Sequence, residues 1–400
     1  MVSPARLCII CKGARRLCGW RTCPLYAKIQ IIPQIERSIK KEFFGPSTSV
    51  FVGHNFYPNV YVGPMAAIDQ ENIDIIDSPQ TWFGKPYGEI LKLRSLIIRG
   101  KQSENIFSKS RFVEQNQELA LAKKPTDVEI IFKNKPQISF EFSDVTQPIG
   151  PSGTIEKFSI ASNPKISEKV ENIVKDELKT KEAAFLLYTL GVDVYKIITI
   201  LSAGVFGKKE RKKLVPTRWS ITAIHTMIAD RLIEKIKQYP SVNEYMVFSS
   251  DYLDNHYEIL LMPGAWEYEN FESWSPGSYW AYYLKKPEVI AEYEPYGGRT
   301  TYADQQGGGF YANRLGLAEG LESMKRQARC VIFREIHQGY TIPVGVWQCL
   351  ENVRNAFRSP PHKFSSLKEA LEHIRTRLKT PLEEYIKKSF ILRQKRLENF

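Results

Sequence analysis

Long hydrophobic runs are missing from this chain. Its longest apolar stretches, such as Ala183–Leu187 and Val194–Val205, fall well short of the roughly 20 residues a membrane-spanning helix needs, so no membrane association is expected. The N-terminus has no apolar signal core, which argues against secretion. Cysteine is scarce. Four of the six cysteines lie within the first 23 residues, and the others are Cys330 and Cys349. A secreted disulfide scaffold spreads its cysteines, so a reducing cytoplasmic compartment is expected, with a local metal site near the start. Three catalytic signatures are absent: the phosphate loop G-x-x-x-x-G-K-[ST], the nucleophile elbow G-x-S-x-G and the zinc motif H-E-x-x-H. There is no fixed-period repeat and no long low-complexity tract.

What is present is an ordinary globular composition. Hydrophobic residues make up 43% and charged residues 25% of 400 positions, enough for a core and for two or three domains. The balance is basic, 56 Lys+Arg against 44 Asp+Glu, or +12. Such an excess attracts polyanions, nucleic acid among them.

Cys8, Cys11, Cys18 and Cys23 read C-x2-C-x6-C-x4-C. Four thiolates suit a closed tetrahedral Zn²⁺ site, and a closed site leaves no open position for catalysis. A segment this short has little core, so the metal would hold it folded. The competing reading is four free or redox thiols. Residues 1–23 also carry Arg6, Lys12, Arg15, Arg16 and Arg21 and no acid. A basic knuckle of this kind suits phosphates; the plainer reading is a solvated face.

Along the body, turn-rich text dominates residues 44–88. Strands are expected at Ser49–Gly53, Val60–Val62, Val128–Phe132, Ile138–Phe142, Tyr245–Ser249, Ile259–Pro263, Val289–Glu294 and Cys330–Ile336. Leu91–Arg99 fits either a helix or a strand. Val170, Ile173, Val174 and Leu178 form one apolar helical face, and Ile221, Ile224, His225, Ile228, Leu232 and Ile236 another. His225 on that stripe reads as a packed histidine, and Pro216 as a first helical residue. An E-x-K in Asp176–Lys179 falls in the first of these helices, which argues against a nuclease. Strands interleaved with helices suggest α+β or mixed α/β architecture.

Between the helical blocks, Lys208, Lys209, Arg211, Lys212 and Lys213 surround Glu210. They read as a solvated loop or as a phosphate-contacting one. Gly297-Gly298-Arg299-Thr300-Thr301, followed by Gly307-Gly308-Gly309, could cradle a phosphate or form a flexible turn pair. His54-Asn55-Phe56-Tyr57 follows an expected strand and is a pocket component or an aromatic turn. Eight aromatics crowd Trp266–Tyr283, favouring core or interface over base stacking. Cys330 and Cys349 read as small core residues.

At the C-terminus, Thr380-Pro381-Leu382-Glu383 reads as a helix start, with Thr as cap and Pro first. Leu382, Tyr385, Ile386 and Phe390 follow at near-helical spacing. Gln394, Leu397 and Phe400 then fit Q-x-x-L-x-x-F, the shape of a sliding-clamp (PCNA) box, in which one helical turn presents Leu and an aromatic to an apolar pocket. The usual second aromatic is missing. The alternative is a last helical turn folding back on the body.

These residues together carry a resemblance. Cys8 to Gly19 with Cys23-Pro24, Tyr57-Pro58-Asn59-Val60 with Val62-Gly63-Pro64, Leu214 to Thr222, and Gly297 to Thr301 resemble the archaeal Nre family of DNA repair proteins, along nearly the whole chain. The resemblance implies a four-cysteine zinc module at 1–28, an N-terminal-type α+β body at 29–290, a C-terminal-type region with a helical end at 291–390, and a PCNA-interacting peptide at 391–400. It also implies a DNA-damage role, with the zinc ligands falling on the four leading cysteines and the clamp contacts on Gln394, Leu397 and Phe400.

Three functions compete. The first is a cytoplasmic, nucleoid-associated repair factor that binds DNA and is recruited by the clamp. The second is a DNA- or nucleotide-modifying enzyme or nuclease with a pocket of His54, Tyr57, Arg218, Arg299 and Thr300. The third is a scaffold that only links the clamp to another protein.

Overall fold

One eleven-residue strand, β1 (Glu42–Val52), changes partner halfway along its length and organises the first part of the chain. The computed structural model describes residues 33, 35–138, 150–278, 281, 284–340 and 343–393. The chain divides into two units, Met1–Ile228 and Ala229–Phe400, and the fold is α+β with two sheets.

In the first unit, Glu42–Ser47 of β1 pairs antiparallel with β4 (Thr126–Phe132), and Ser47–Val52 with β2 (Asn59–Ala67). A register shift between Ser47 and Ser49 marks the change of partner, as bulges do where a strand bends. β2 continues antiparallel into β3 (Ile97–Asn105), β3 runs parallel to β5 (Ser152–Ile160), and β5 returns antiparallel to β4. The result is a closed five-stranded barrel in the order β1-β2-β3-β5-β4. Helix α2 (Arg111–Leu121) lies between β3 and β4. This connectivity is that of the OB-fold barrel.

Alternation fills the barrel. Val50, Val52, Val60, Val62, Val128, Ile130 and Phe132 are each at most 2% exposed, the period-2 pattern of strands with one face on a core. A Cβ at Gly100 would lie 2.7 Å from Ile155 Cδ1, so glycine there leaves room for the Ile155 side chain. Helix α2 starts at Ser110, whose hydroxyl accepts the Val113 N–H at 3.3 Å.

Around the barrel the unit adds α1 (Tyr87–Ser95), α3 (Glu168–Lys175), α4 (Thr180–Thr189) and α5 (Val194–Ser202). The Leu91–Arg99 stretch is both expected things in turn, the end of α1 and then the start of β3. The E-x-K acid Glu177 lies beyond the end of α3, at φ 50°. Of the expected strand Ile138–Phe142, only Ile138 is among the described residues.

Helix α6 (Thr217–Ile236) crosses the division between the units. Pro216 precedes it rather than opening it; its carbonyl accepts the N–H groups of Trp219 and Ser220 at 2.8 and 2.9 Å. The expected stripe is buried at Ile224, His225, Ile228, Leu232 and Ile236 and half-buried at Ile221.

The second unit is built on a six-stranded sheet. Its strands are β6 (Tyr245–Tyr252), β7 (Asn255–Met262), β8 (Glu267–Trp274), β9 (Glu288–Glu294), β10 (Arg329–Ile336) and β11 (His362–Phe364). They lie in the order β11-β6-β7-β10-β8-β9, with β10 parallel to β8. Every residue of β7 is buried, the mark of a strand covered on both faces. On one face, Leu260, Phe271, Val331 and Phe333 pack with α9 (Leu367–Arg377) and α10 (Leu382–Ile386) through Ala370, Ile374 and Tyr385. On the other, Phe248 meets Phe357 after α8 (Trp347–Ala356), ring centroids 4.5 Å apart, and Tyr268 meets Phe310 on α7 (Gly308–Met324) at 4.8 Å.

Helix α10 starts later and ends sooner than its sequence suggests. Pro381 is its cap, Thr380 lies outside it, and Phe390 falls four residues past its end. The carboxylate of Glu335 accepts the N–H groups of Lys379 and Thr380 and so fixes the turn that leads into the helix.

Candidate nucleic-acid interface

Three loops meet at one end of the barrel. The β1–β2 loop closes on itself through Gly53 N–H to Tyr61 O at 2.7 Å and Asn59 N–H to Phe56 O at 2.9 Å. Ile106 N–H, just after β3, donates to Pro58 O at 3.0 Å, and Leu214 N–H donates to Ile106 O at 2.8 Å. Thr217, the first residue of α6, receives the Val52 N–H on its hydroxyl at 3.0 Å. The segment from the basic run into α6 is thus laced to the barrel mouth.

This lacing brings His54, Tyr57 and Arg218 into one neighbourhood. The Tyr57 ring lies 5.1 Å from that of Trp219, and Phe56 meets Tyr61 edge to face at 6.1 Å. Burial lowers the pKa of His54 below its ordinary 6.5, and the Arg218 charge lowers it further. The imidazole is therefore neutral at pH 7. Lys208, Arg211, Lys213 and Arg218 are exposed and Lys212 is half-buried. Lys209 opens a short 3-10 turn, Lys209–Arg211.

Arg299 and Thr300 belong to the second unit. Arg299 is turned inward: it pairs with Glu292 at 2.8 Å and donates to the carbonyls of Tyr293, Thr301 and Tyr302. Its guanidinium also lies 5.2 Å from the centre of the Phe310 ring. The glycine-rich stretch serves packing too, since Gly307 at φ 53° is the cap of α7. Thr300 is exposed.

The second unit holds buried polar groups that its sequence does not advertise. Arg334 on β10 donates to Glu272 at 2.5 Å and to Asn255 at 2.8 and 3.0 Å. Arg314 on α7 faces both Glu294 oxygens at 2.8 Å and Asp230 at 2.9 Å. β8 carries three acids, Glu267 and Glu269 on one face of the strand and Glu272 on the other. All three are buried. Cys330 and Cys349 are buried free thiols, and Trp266, Tyr268 and Phe271 of the aromatic cluster lie in the core.

The chain is anchored close to its end. Glu269 accepts the N–H groups of Phe390 and Ile391 at 2.6 and 3.3 Å together with the Ser389 hydroxyl. Phe390 itself is exposed, with its ring stacked on Tyr293 at 5.1 Å. Gln394, Leu397 and Phe400 lie outside the described residues. So do Cys8, Cys11, Cys18 and Cys23, and Lys12, Arg15, Arg16 and Arg21. Among the described residues, no group of three or more His, Cys, Asp or Glu side chains could hold a metal ion, and no helix is long and apolar enough to cross a membrane.

Comparison with known proteins places this architecture. The family model described as archaeal Nre, N-terminal, matches residues 17–281, and that described as archaeal Nre, C-terminal, matches residues 294–400. The chain belongs to the archaeal Nre family. It is 36% identical to the DNA repair protein NreB of Archaeoglobus fulgidus, covering 97% of each chain. It is 35% identical to NreA of the same organism, also named a DNA repair protein, covering 91% of this chain and 92% of that one. A third relative, the DNA repair protein NreA of Haloferax volcanii, is 33% identical over 86% of this chain and 85% of its own. No solved structure matches the chain.

The N-terminal Nre model spans the whole barrel and its mouth. Within that Nre region Tyr61, Phe107 and Trp219 share the mouth with Tyr57, and sequence reasoning missed all three. The available signal was an aromatic beside a charge, Arg218-Trp219, set against the buried stripe of α6.

Proposed function

We propose that this protein is a DNA repair factor of the binding class, brought to its sites by the sliding clamp. The observation that carries the reading is its likeness, across 86–97% of its length, to three proteins named as DNA repair proteins. The net charge of +12 and the exposed cations at 208–218 suit contact with a phosphate backbone. Gln394, Leu397 and Phe400 are the clamp-docking residues, and they follow closely on the segment gripped by Glu269. A short tether from a fixed point keeps the body near whatever the clamp encircles, so modest DNA affinity suffices. Cys8, Cys11, Cys18 and Cys23 hold one structural Zn²⁺, and the basic residues Lys12, Arg15, Arg16 and Arg21 beside it add to the DNA-facing charge. The protein works in the cytoplasm at the nucleoid.

Two measurements test this. Deleting Gln394–Phe400 should abolish clamp binding by calorimetry while the thermal transition stays in place; unchanged clamp affinity rejects the docking residues. Elemental analysis should find about one zinc per chain, lost in a Cys8→Ser, Cys11→Ser double variant; a metal-free wild-type chain rejects the zinc site.

A further inference from the structure

Exposed aromatic rings are unevenly distributed over the first unit. Among its described residues, the large aromatic side chains that are exposed are Phe44, Phe56, Tyr57, Tyr61, Phe107 and Trp219, and all but Phe44 sit at the mouth of the barrel. Phe56 is 74% and Phe107 58% exposed, far beyond what packing asks of such side chains. A cluster of this kind marks a binding surface.

The backbone holds the rings in place. Phe56 takes φ 67°, a left-handed conformation that bulky residues avoid at a cost of about 1 kcal/mol or more. It does so in a loop fixed by its own Asn59 N–H bond, and its ring is turned outward. Phe107 follows Ile106, which bonds both Pro58 and Leu214. Trp219 stands in the first turn of α6, against Tyr57.

Cations border the rings. Lys213 immediately precedes Leu214, the residue bonded to Ile106, and Lys208, Arg211 and Arg218 are exposed on the same connection. Glu210 and Glu104 are the acids of these segments, and Glu104 is engaged by Ser108 and Gln102. A polyanion with flat, unpaired faces is the ligand that satisfies rings and charges together. In duplex DNA the base faces are already stacked on each other, so exposed rings would find nothing there. In a single strand every base has a free face. The rings also flank the β1–β2 loop, one of the two loops through which OB barrels grip oligonucleotides.

We propose that the barrel mouth is a single-stranded DNA track, on which bases stack on Phe56, Tyr57, Phe107 and Trp219 while Lys208, Arg211, Lys213 and Arg218 hold the phosphates. The proposal rests on the DNA-binding reading above and sharpens it to a structure of DNA and a site.

The test uses the full-length protein and fluorescence anisotropy with labelled oligothymidine of about 15 nucleotides, a duplex of the same length, and an oligouridine. The expected order is oligothymidine tightest, with log affinity falling linearly against log salt concentration. Phe56→Ala, Phe107→Ala and Trp219→Ala should each weaken oligothymidine binding about 5- to 100-fold and leave duplex binding within twofold. All three side chains are substantially exposed, so circular dichroism and the thermal midpoint should not move. Single-strand binding that survives all three substitutions overturns the track while leaving the DNA-repair reading intact. A preference for oligouridine overturns its assignment to DNA. Failure to bind any DNA at low salt overturns both. Photocrosslinking of 5-iodouracil DNA gives an independent readout: adducts on residues 54–61, 107 or 219 support the site, and adducts confined to the second unit overturn it.

Discussion

Glu335 Oε1 accepts the backbone N–H of Thr380 at 2.7 Å, and the same oxygen accepts the Tyr385 hydroxyl at 3.0 Å. One buried carboxylate on β10 thus holds the turn into α10 and the helix itself. Burial would raise its pKa, but hydrogen bonds from His337 and from the N–H groups of Lys379 and Thr380 outweigh that and bring it down to about 2. A lowered folded-state value means stability that is present above about 4.5 and lost as pH falls toward 2. Glu335→Gln should cost about 2–3 kcal/mol at pH 7, measured by urea denaturation, and should flatten the acid limb of the stability curve.

His256 gives the opposite slope. Burial lowers its pKa, yet Asp251 at 2.7 Å and Glu258 at 2.9 Å outweigh burial and raise it to about 9. The stabilisation is complete below about pH 6.5 and is lost as pH rises through 9. Glu258 also pairs with Arg377, which softens the loss. His256→Gln should remove the alkaline decline, and the wild type should lose on the order of 2 kcal/mol between pH 6.5 and 9. Chemical denaturation across that range checks it.

Gly320 on α7 sets two effects against each other. Alanine in a helix interior gains about 1 kcal/mol over glycine. Here its Cβ would stand 2.6 Å from the Phe357 ring, and overpacking costs about 1–3 kcal/mol. The clash should win, giving a net loss of about 1–2 kcal/mol for Gly320→Ala. Adding Phe357→Leu should recover part of it, as a double-mutant cycle will show.

At the barrel mouth, Arg218→Gln removes one of the two influences holding the His54 pKa down. The His54 imidazole should then titrate closer to 6.5, followed by its ring-proton shift in NMR. A value that does not move would separate the two side chains electrostatically.

Much of the fold was legible because alternation and helical periodicity are properties of short windows. Val60–Val62 and Val128–Phe132 read as strands and are barrel staves. The stripe Ile224 to Ile236 reads as a helix face and is one. What stayed hidden depends on partners far away in sequence. β8, which was not foreseen as a strand, buries Glu267, Glu269 and Glu272 beside Arg329, Ser389 and Arg334. The helix start at Thr380-Pro381 slipped by one residue because Glu335, some 45 residues earlier, holds the Thr380 N–H in the preceding turn. For the site, His54, Tyr57 and Arg218 were found together, whereas Arg299 reads as a free cation and is spent on its own loop. Tyr61, Phe107 and Trp219 escaped notice because no local pattern distinguishes an outward aromatic ring from a core one.

The parallel step between β3 and β5 bears on synthesis. Arg99 lies alongside Ser152, so the last stave arrives only after α2 and β4 have been made. A ribosome-bound chain that stops short of residue 152 leaves the β3 edge and the Val and Ile side chains behind it uncovered. Such long-separation pairing folds slowly and exposes sticky edges meanwhile. Truncations ending between β4 and β5 should therefore be insoluble, while those ending beyond β5 gain the seam that shuts the cylinder.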